Sequence, residues 1–290
     1  MFIRHWLDCD HIVTHGRLRE WVLFTRRQGT FPDKNTGAVM FNMDRYSRAV
    51  LLEGVRAEPT VHEGQAESVH VISGVGSLQV GTEEYPIRDG SSFEIPAGVE
   101  HRLANTGETE LELLTCLYPA NPGEGDVVLH NWREDGSSGQ SHWYHVYRGR
   151  GAGRIGNVDI PPRKISHPHN HPPDHDEVWY VTKGQGCHWM GRELHPQGPG
   201  WAVWLEPEEL HSLFNPTDEW VYSFCCIMRA PEKPVVREPE RESLPEEIEH
   251  LSREFEVLAE AYAKTGIAIG GVHRALPRIR ETIERIKARV

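Results

Sequence analysis

A long internal repetition restricts the fold more than any other feature of the chain. The segment "ESVHVISGVG" (67–76) returns as "EVWYVTKGQG" (177–186), and "GSSFEIPAGVEHRLAN" (90–105) returns as "GWAVWLEPEELHSLFN" (200–215). One unbroken offset of 110 links Glu67 with Glu177, Gly74 with Gly184, Gly76 with Gly186, Gly90 with Gly200, His101 with His211 and Asn105 with Asn215. Such self-similarity marks a tandem duplication. The repeated unit consists of short runs rich in β-branched and aromatic residues, closed off by glycine, proline and asparagine, a pattern of strands and turns. The expected fold is all-β, with two barrels of one type in tandem.

The division expected is a first barrel with its leading segment over 1–125, a second over 126–230, and a linker with two helices over 231–290. "RAPEKPVVREPERE" (229–242) reads as a proline-rich charged linker. Ser243 as N-cap, Glu246 three residues later and Gly266 as a stop frame a first helix with Ile248, Leu251, Phe255, Leu258 and Tyr262 on one face. A second helix near 277–289 aligns Leu276, Ile279, Ile283 and Ile286. These stripes can pack on a barrel or join a homodimer; the sequence leaves both open.

With 43 acidic against 31 basic residues the net charge is −12, which disfavours nucleic acid and anionic membrane surfaces as partners. No apolar run approaches the roughly 20 residues of a membrane span, and "MFIRHWLDCDH" (1–11) is unlike a signal peptide. Five cysteines without a CxxC pair suit free thiols, so a cytoplasmic location is expected. Cys225 and Cys226, adjacent in an apolar strand, should point to opposite faces as packing residues. P-loop, GxGxxG, GxSxG and helical HExxH patterns are absent.

The chemistry concentrates in "SHPHNHPPDHDEVWYVTKG" (166–184). Histidines two apart on an extended chain share a face, so His169 and His171 can meet one ion inside a barrel. The repeated unit resembles the cupin superfamily, and the chain to about 230 resembles a two-domain bicupin of jelly-roll barrels. In the first copy Gly90, Pro96, Gly98, His101 and Asn105 match the second cupin motif, while Gly54, His62, Glu67 and Gly74 match the first, with Thr60 where its first histidine belongs. In the second copy His169, His171, Glu177, Gly184, Gly200, His211 and Asn215 match, but Glu206 and Glu208 replace the proline and glycine.

The offset for the paired histidines is 109 rather than 110, so one residue is inserted before Glu177. That leaves His175 or Glu177 as the fourth ligand beside His169, His171 and His211, and the other as a candidate proton carrier. His167 reads as an outer partner or an exposed residue. Three imidazoles and a carboxylate suit Fe(II), Mn(II), Ni(II), Co(II) or Zn(II). A weaker site of His62, Glu67 and His101 is expected in the first barrel, with decay to a structural support as the favoured reading. Trp179 and Trp189 are expected to wall a substrate pocket, core filling being the rival. The resemblance implies a metal-dependent enzyme acting on a small polar or aromatic metabolite, a dioxygenase first. An isomerase or lyase of a sugar or sugar acid, or a non-catalytic binding bicupin, are the alternatives.

Overall fold

Strands buried on both faces need two different coverings, and the alternation of side chains supplies them. In the computed structural model, which describes residues 2–28, 32–123, 125–134, 144–147 and 153–229 and separate positions between 252 and 287, such strands form the centre of each repeat. On β6 (Gln65–Ser73), Val69 and Val71 face the core of the first barrel. On the equivalent β15 (His175–Lys183), Trp179 and Val181 face the core of the second, while Val178 and Tyr180 enter a third core. The long strands β11 (Leu111–Pro119) and β20 (Val221–Arg229) divide in the same way: Leu113 and Cys225 turn inward, Cys116 and Cys226 outward. The third core draws on both repeats, with Cys116 Sγ 3.8 Å from Cys226 Sγ at positions 110 apart. Cys225 and Cys226 thus lie on opposite faces, all five thiols being free.

The first barrel pairs an eight-stranded sheet with a three-stranded one. Its large sheet runs β12 (Val128–Asn131), β9 (Ser91–Ile95), β6, β11, β5 (Arg45–Leu51), β3 (Leu18–Arg26), β2 (His11–Thr14), with β4 (Ala38–Met40) beside β3. The small sheet holds β10 (His101–Asn105), β7 (Val75–Val80) and β8 (Glu83–Arg88). The second barrel has a six-stranded sheet of β1 (Phe2–His5), β18 (Trp201–Leu205), β15, β20, β14 (Gly153–Ile160) and β13 (Tyr144–Tyr147). Opposite it lie β17 (Glu193–Gln197), β16 (Gly186–Met190) and β19 (His211–Phe214).

The repeats exchange their leading strands. Phe2 pairs with Trp204 and His5 with Trp201; Val128 pairs with Glu94 and Asn131 with Ser91. Trp204 and Glu94 are equivalent positions, as are Trp201 and Ser91, so each short strand closes the other repeat's sheet. The pairing therefore crosses the 125/126 division in both directions. Asp176 adds a second tie: its Oδ2 accepts the backbone N–H groups of Phe41 (2.6 Å), Asn42 and Met43 (3.4 Å), and its Oδ1 the indole N–H of Trp204 (3.1 Å).

A separate unit covers Arg237–Val290. Ser252, Glu256 and Ala259 are helical there, as are Leu276, Ile279 and Ile283, and Arg280 bonds Glu256 at 2.7 and 2.5 Å. The expected cap at Ser243 and Glu246, the stripe from Ile248 to Tyr262, the stop at Gly266, and Ile286 lie outside the described residues. Among the described residues no helix is long and apolar enough to cross a membrane.

Candidate metal centres

In the second barrel the segment before β15 runs beside β19, with His169 N–H donating to His211 O (3.1 Å) and His211 N–H to His169 O (2.9 Å). This extended pairing puts His169 and His171 on one face, against the first residue of β19. Ring centroids lie 4.4 Å apart for His169 and His211, and 4.9 Å for His169 and His171. Glu177, on β15, brings Oε2 to 3.1 Å from His171 Nε2 and 2.9 Å from His211 Nε2. One donor atom from each of His169, His171, Glu177 and His211 falls within 4.8 Å of all the others.

Hydrogen bonds outside the cluster fix which nitrogen faces in. Nδ1 of His169 meets the His167 carbonyl at 2.9 Å, and Nδ1 of His211 the Glu209 carbonyl at 2.8 Å. A carbonyl only accepts, so each Nδ1 carries a proton and each neutral ring presents the Nε2 lone pair inward. His171 Nε2, His211 Nε2 and Glu177 Oε2 are buried and make no aligned hydrogen bond despite their closeness. They aim at a common point rather than at one another, as donors to a cation do. Burial disfavours the Glu177 carboxylate, yet His171 and His211 outweigh it and hold its pKa well below the ordinary value. For His211, burial opposes charge, but Glu177 raises its pKa. His169 is lowered, chiefly by burial.

Between the two candidates for fourth ligand, Glu177 lies in the cluster and His175 outside it. Residues 175 and 177 share a face, but two residues of strand rise about 6.8 Å, which leaves His175 at the rim, paired with Arg229. There its Nδ1 bonds Asp174 (2.8 Å) and its ring lies parallel to that of His171, 6.0 Å away.

The expected aromatic wall takes another form. Trp179 is 1% exposed, and its Nε1–H donates to Glu177 Oε1 at 2.6 Å; Cys225 Sγ lies 3.1 Å from the same oxygen. Trp179 orients the carboxylate and fills core, because alternation directs it into the barrel's packed centre. Trp189 is half-buried on the strand face opposite His188 and Met190, which point inward. His167 is exposed and contributes through its carbonyl. Arg163 is committed at the surface to Asp218 (3.0 Å) and the Pro216 carbonyl (2.6 Å).

The first barrel repeats this backbone. Thr60 and His101 exchange N–H···O bonds of 2.9 and 3.0 Å, as His169 and His211 do. Gly98 N–H reaches His62 O at 2.9 Å, and Glu208 N–H reaches His171 O at 2.9 Å. Glu208 even keeps the left-handed conformation (φ 64°) of Gly98 (φ 77°), the glycine it replaces. His62, Glu67 and His101 converge, with Glu67 Oε2 at 3.4 Å from His62 Nε2 and 2.9 Å from His101 Nε2. The place left by Thr60 is taken by a residue that motif spacing does not reach. His15, in the turn between β2 and β3, sets Nε2 3.2 Å from Glu67 Oε2 and 3.3 Å from His101 Nε2. His15, His62, Glu67 and His101 again offer donor atoms within 4.8 Å of one another. Burial works against ionised Glu67, but His15, His101 and His62 keep its pKa well below normal. The one sequence hint is the "HG" pair at 15–16, a histidine at a tight turn.

A family model described as a cupin domain matches residues 48–117 and again 156–228. Xanthan biosynthesis protein XanB of Xanthomonas campestris is 33% identical over 81 residues, covering 28% of this chain and only 17% of XanB. AerE from Microcystis aeruginosa superposes with a TM-score of 0.61 at 14% identity, over 77% of this chain and 97% of AerE. A variant of oxalate decarboxylase from Bacillus subtilis gives 0.61 at 13%, over 79% and 77% respectively. At such identities the structural likeness is one of fold.

Proposed function

This chain belongs to the cupin family, as a member with two cupin domains, and on that premise we propose that it is a metal-dependent dioxygenase of a small metabolite. Its principal centre in this reading is the second-barrel cluster. One observation carries the proposal: His169, His171, Glu177 and His211 converge, with one donor atom from each within 4.8 Å of the others. A divalent transition ion held there supplies a Lewis acid with open coordination positions, and redox chemistry if it is iron or manganese. Three neutral imidazoles and one carboxylate leave that site a net positive charge, which favours a substrate that ionises to an enolate or catecholate. Glu177 and His211 are 3% and 1% exposed, whereas His169 and His171 are half-buried, so substrate would enter on the side of the histidine pair.

Behind the ligands the barrel is lined by Met190, Val203, Leu205 and Leu213, which exclude water. His188 there is sealed against Gln197 (2.7 Å), and burial pushes its pKa down to about 4. Near neutral pH His188 is a neutral imidazole of low basicity, a poor acceptor for a substrate proton, and we weigh this toward oxygenation. Anaerobically iron-loaded protein, mixed with diketones and catechols, should consume one oxygen molecule per substrate and carry both isotopically labelled atoms into product. Turnover that proceeds equally under nitrogen would overturn this reading.

A second reading has its own observation. The Asp174–His175 pair at the rim is a carboxylate-oriented imidazole beside His171, suited to moving a proton in an isomerase or lyase of a sugar acid. Under that reading His175→Gln abolishes turnover under nitrogen, whereas a dioxygenase keeps most of its oxygen uptake.

A further inference from the structure

We propose that the first barrel is a second divalent-cation centre whose fourth ligand is His15, a residue outside the cupin motif that replaces the imidazole missing at Thr60. The inference stands on the first barrel alone and does not depend on the reaction assigned to the second.

Four observations converge on His15. It is 5% exposed, with its ring centroid 5.5 Å from that of His62 and 5.4 Å from that of His101. A chain of polar groups fixes its tautomer. Arg45 Nε pairs with Glu20 Oε2 at 2.9 Å, and Glu20 is fully buried. The Thr14 hydroxyl donates its single proton to Glu20 Oε1 at 2.5 Å, because that carboxylate only accepts. Thr14 Oγ1 therefore accepts from His15 Nδ1–H at 3.1 Å, so the neutral ring turns the Nε2 lone pair toward the cluster. His101 is fixed likewise, its Nδ1 3.1 Å from the Val99 carbonyl. The two Nε2 atoms face each other across 3.3 Å, and Glu67 Oε2 lies 3.2 and 2.9 Å from them. A proton donated to Glu67 Oε2 satisfies only the nitrogen that carries it, whereas a cation satisfies every donor at once, including His62 Nε2 and Glu67 Oε1, which are buried there without a hydrogen bond.

The backbone gives the fourth observation. His15 has φ +47° and Gly16 φ +67° in a turn that Glu58 N–H ties down at His15 O (2.8 Å). Successive left-handed residues close the tight hairpin between β2 and β3, and this turn with its Glu58 tie sets where the His15 ring enters the barrel. The segment ahead of the duplicated unit has thus restored the donor set that the Thr60 exchange removed.

The probe is zinc alone, with bound metal counted on the full chain after gel filtration. The parent protein should carry two ions, His15→Ala one, and His211→Ala one. In His15→Ala combined with Thr60→His the count should return to two, because residue 60 holds the backbone pairing of His169. A count of two that persists in His15→Ala, or a parent count of one lost entirely in His211→Ala, overturns the proposal. Should His15→Ala fail to fold, X-ray absorption of zinc-loaded His211→Ala protein decides: three imidazoles around the ion support it, two refute it.

Discussion

Replacing Trp179 by phenylalanine separates two roles for this side chain, wall of a pocket or anchor of a ligand. The indole N–H lies 2.6 Å from Glu177 Oε1 in a region with 1% exposure. A hydrogen bond to a charged acceptor contributes about 1.5–3 kcal/mol. Its loss leaves the oxygen with only the Cys225 thiol, a weak donor, at 3.1 Å. Partners that orient a metal ligand typically contribute 10–100-fold in affinity, about 1.4–2.7 kcal/mol. Trp179→Phe should therefore weaken zinc binding at the second site by 10–100-fold. The assay is competition with a chromophoric chelator, in a Glu67→Gln background so that the second barrel alone reports. Val181→Ala, buried in the same core without a bond to the cluster, controls for packing and should cost about 2 kcal/mol in urea unfolding with affinity unchanged. If Trp179→Phe destabilises the metal-free protein while zinc affinity stays within twofold of its parent, the anchoring argument fails.

Three further outcomes follow from other parts of the unit. Burial pushes His70 from 6.5 down to about 3, so the unfolded chain binds a proton that the folded one refuses, and stability falls as pH drops below 6.5. The slope is about 1.4 kcal/mol per pH unit, some 2.7 kcal/mol by pH 4.5; His70→Asn, able to keep a hydrogen bond to Ser92, should remove that component, and urea midpoints of both proteins from pH 7 to 4.5 check it. Asp176→Asn sets an amide among three backbone N–H groups and an indole N–H, and should cost about 2–4 kcal/mol by urea unfolding, with a loss under 1 kcal/mol contradicting the pin between repeats. Glu208→Gly relieves a left-handed glutamate and should raise the thermal midpoint, the gain of about 0.5–1 kcal/mol being what remains after glycine's unfolded-state entropy; a lower midpoint refutes it.

Much of the arrangement is legible in the residues themselves. The 110-residue offset carries through to strand equivalence, β6 with β15 and β11 with β20, and the 109-residue offset to the Thr60–His101 and His169–His211 bridges. Alternation indicates that Glu177, Trp179 and Val181 share a face, but gives no depth along the barrel. Depth separates Glu177 from His175, and packing buries Trp179 with its indole N–H on Glu177 Oε1. Trp189 lies on the other face of its strand, which its neighbours His188 and Met190 already imply.

The sequence by itself determined the duplication, the strand periodicity and the kinds of side chain able to hold a cation, since these are local patterns or repeats of them. Tertiary structure decided where partners far apart in the chain meet. Phe2 pairs with Trp204, Val128 with Glu94, and His15 reaches Glu67 and His101. Periodicity records which face a residue presents, but not which edge or cluster that face will find. That choice follows from burying two sheets back to back and satisfying every polar group left inside, a condition set by the whole fold.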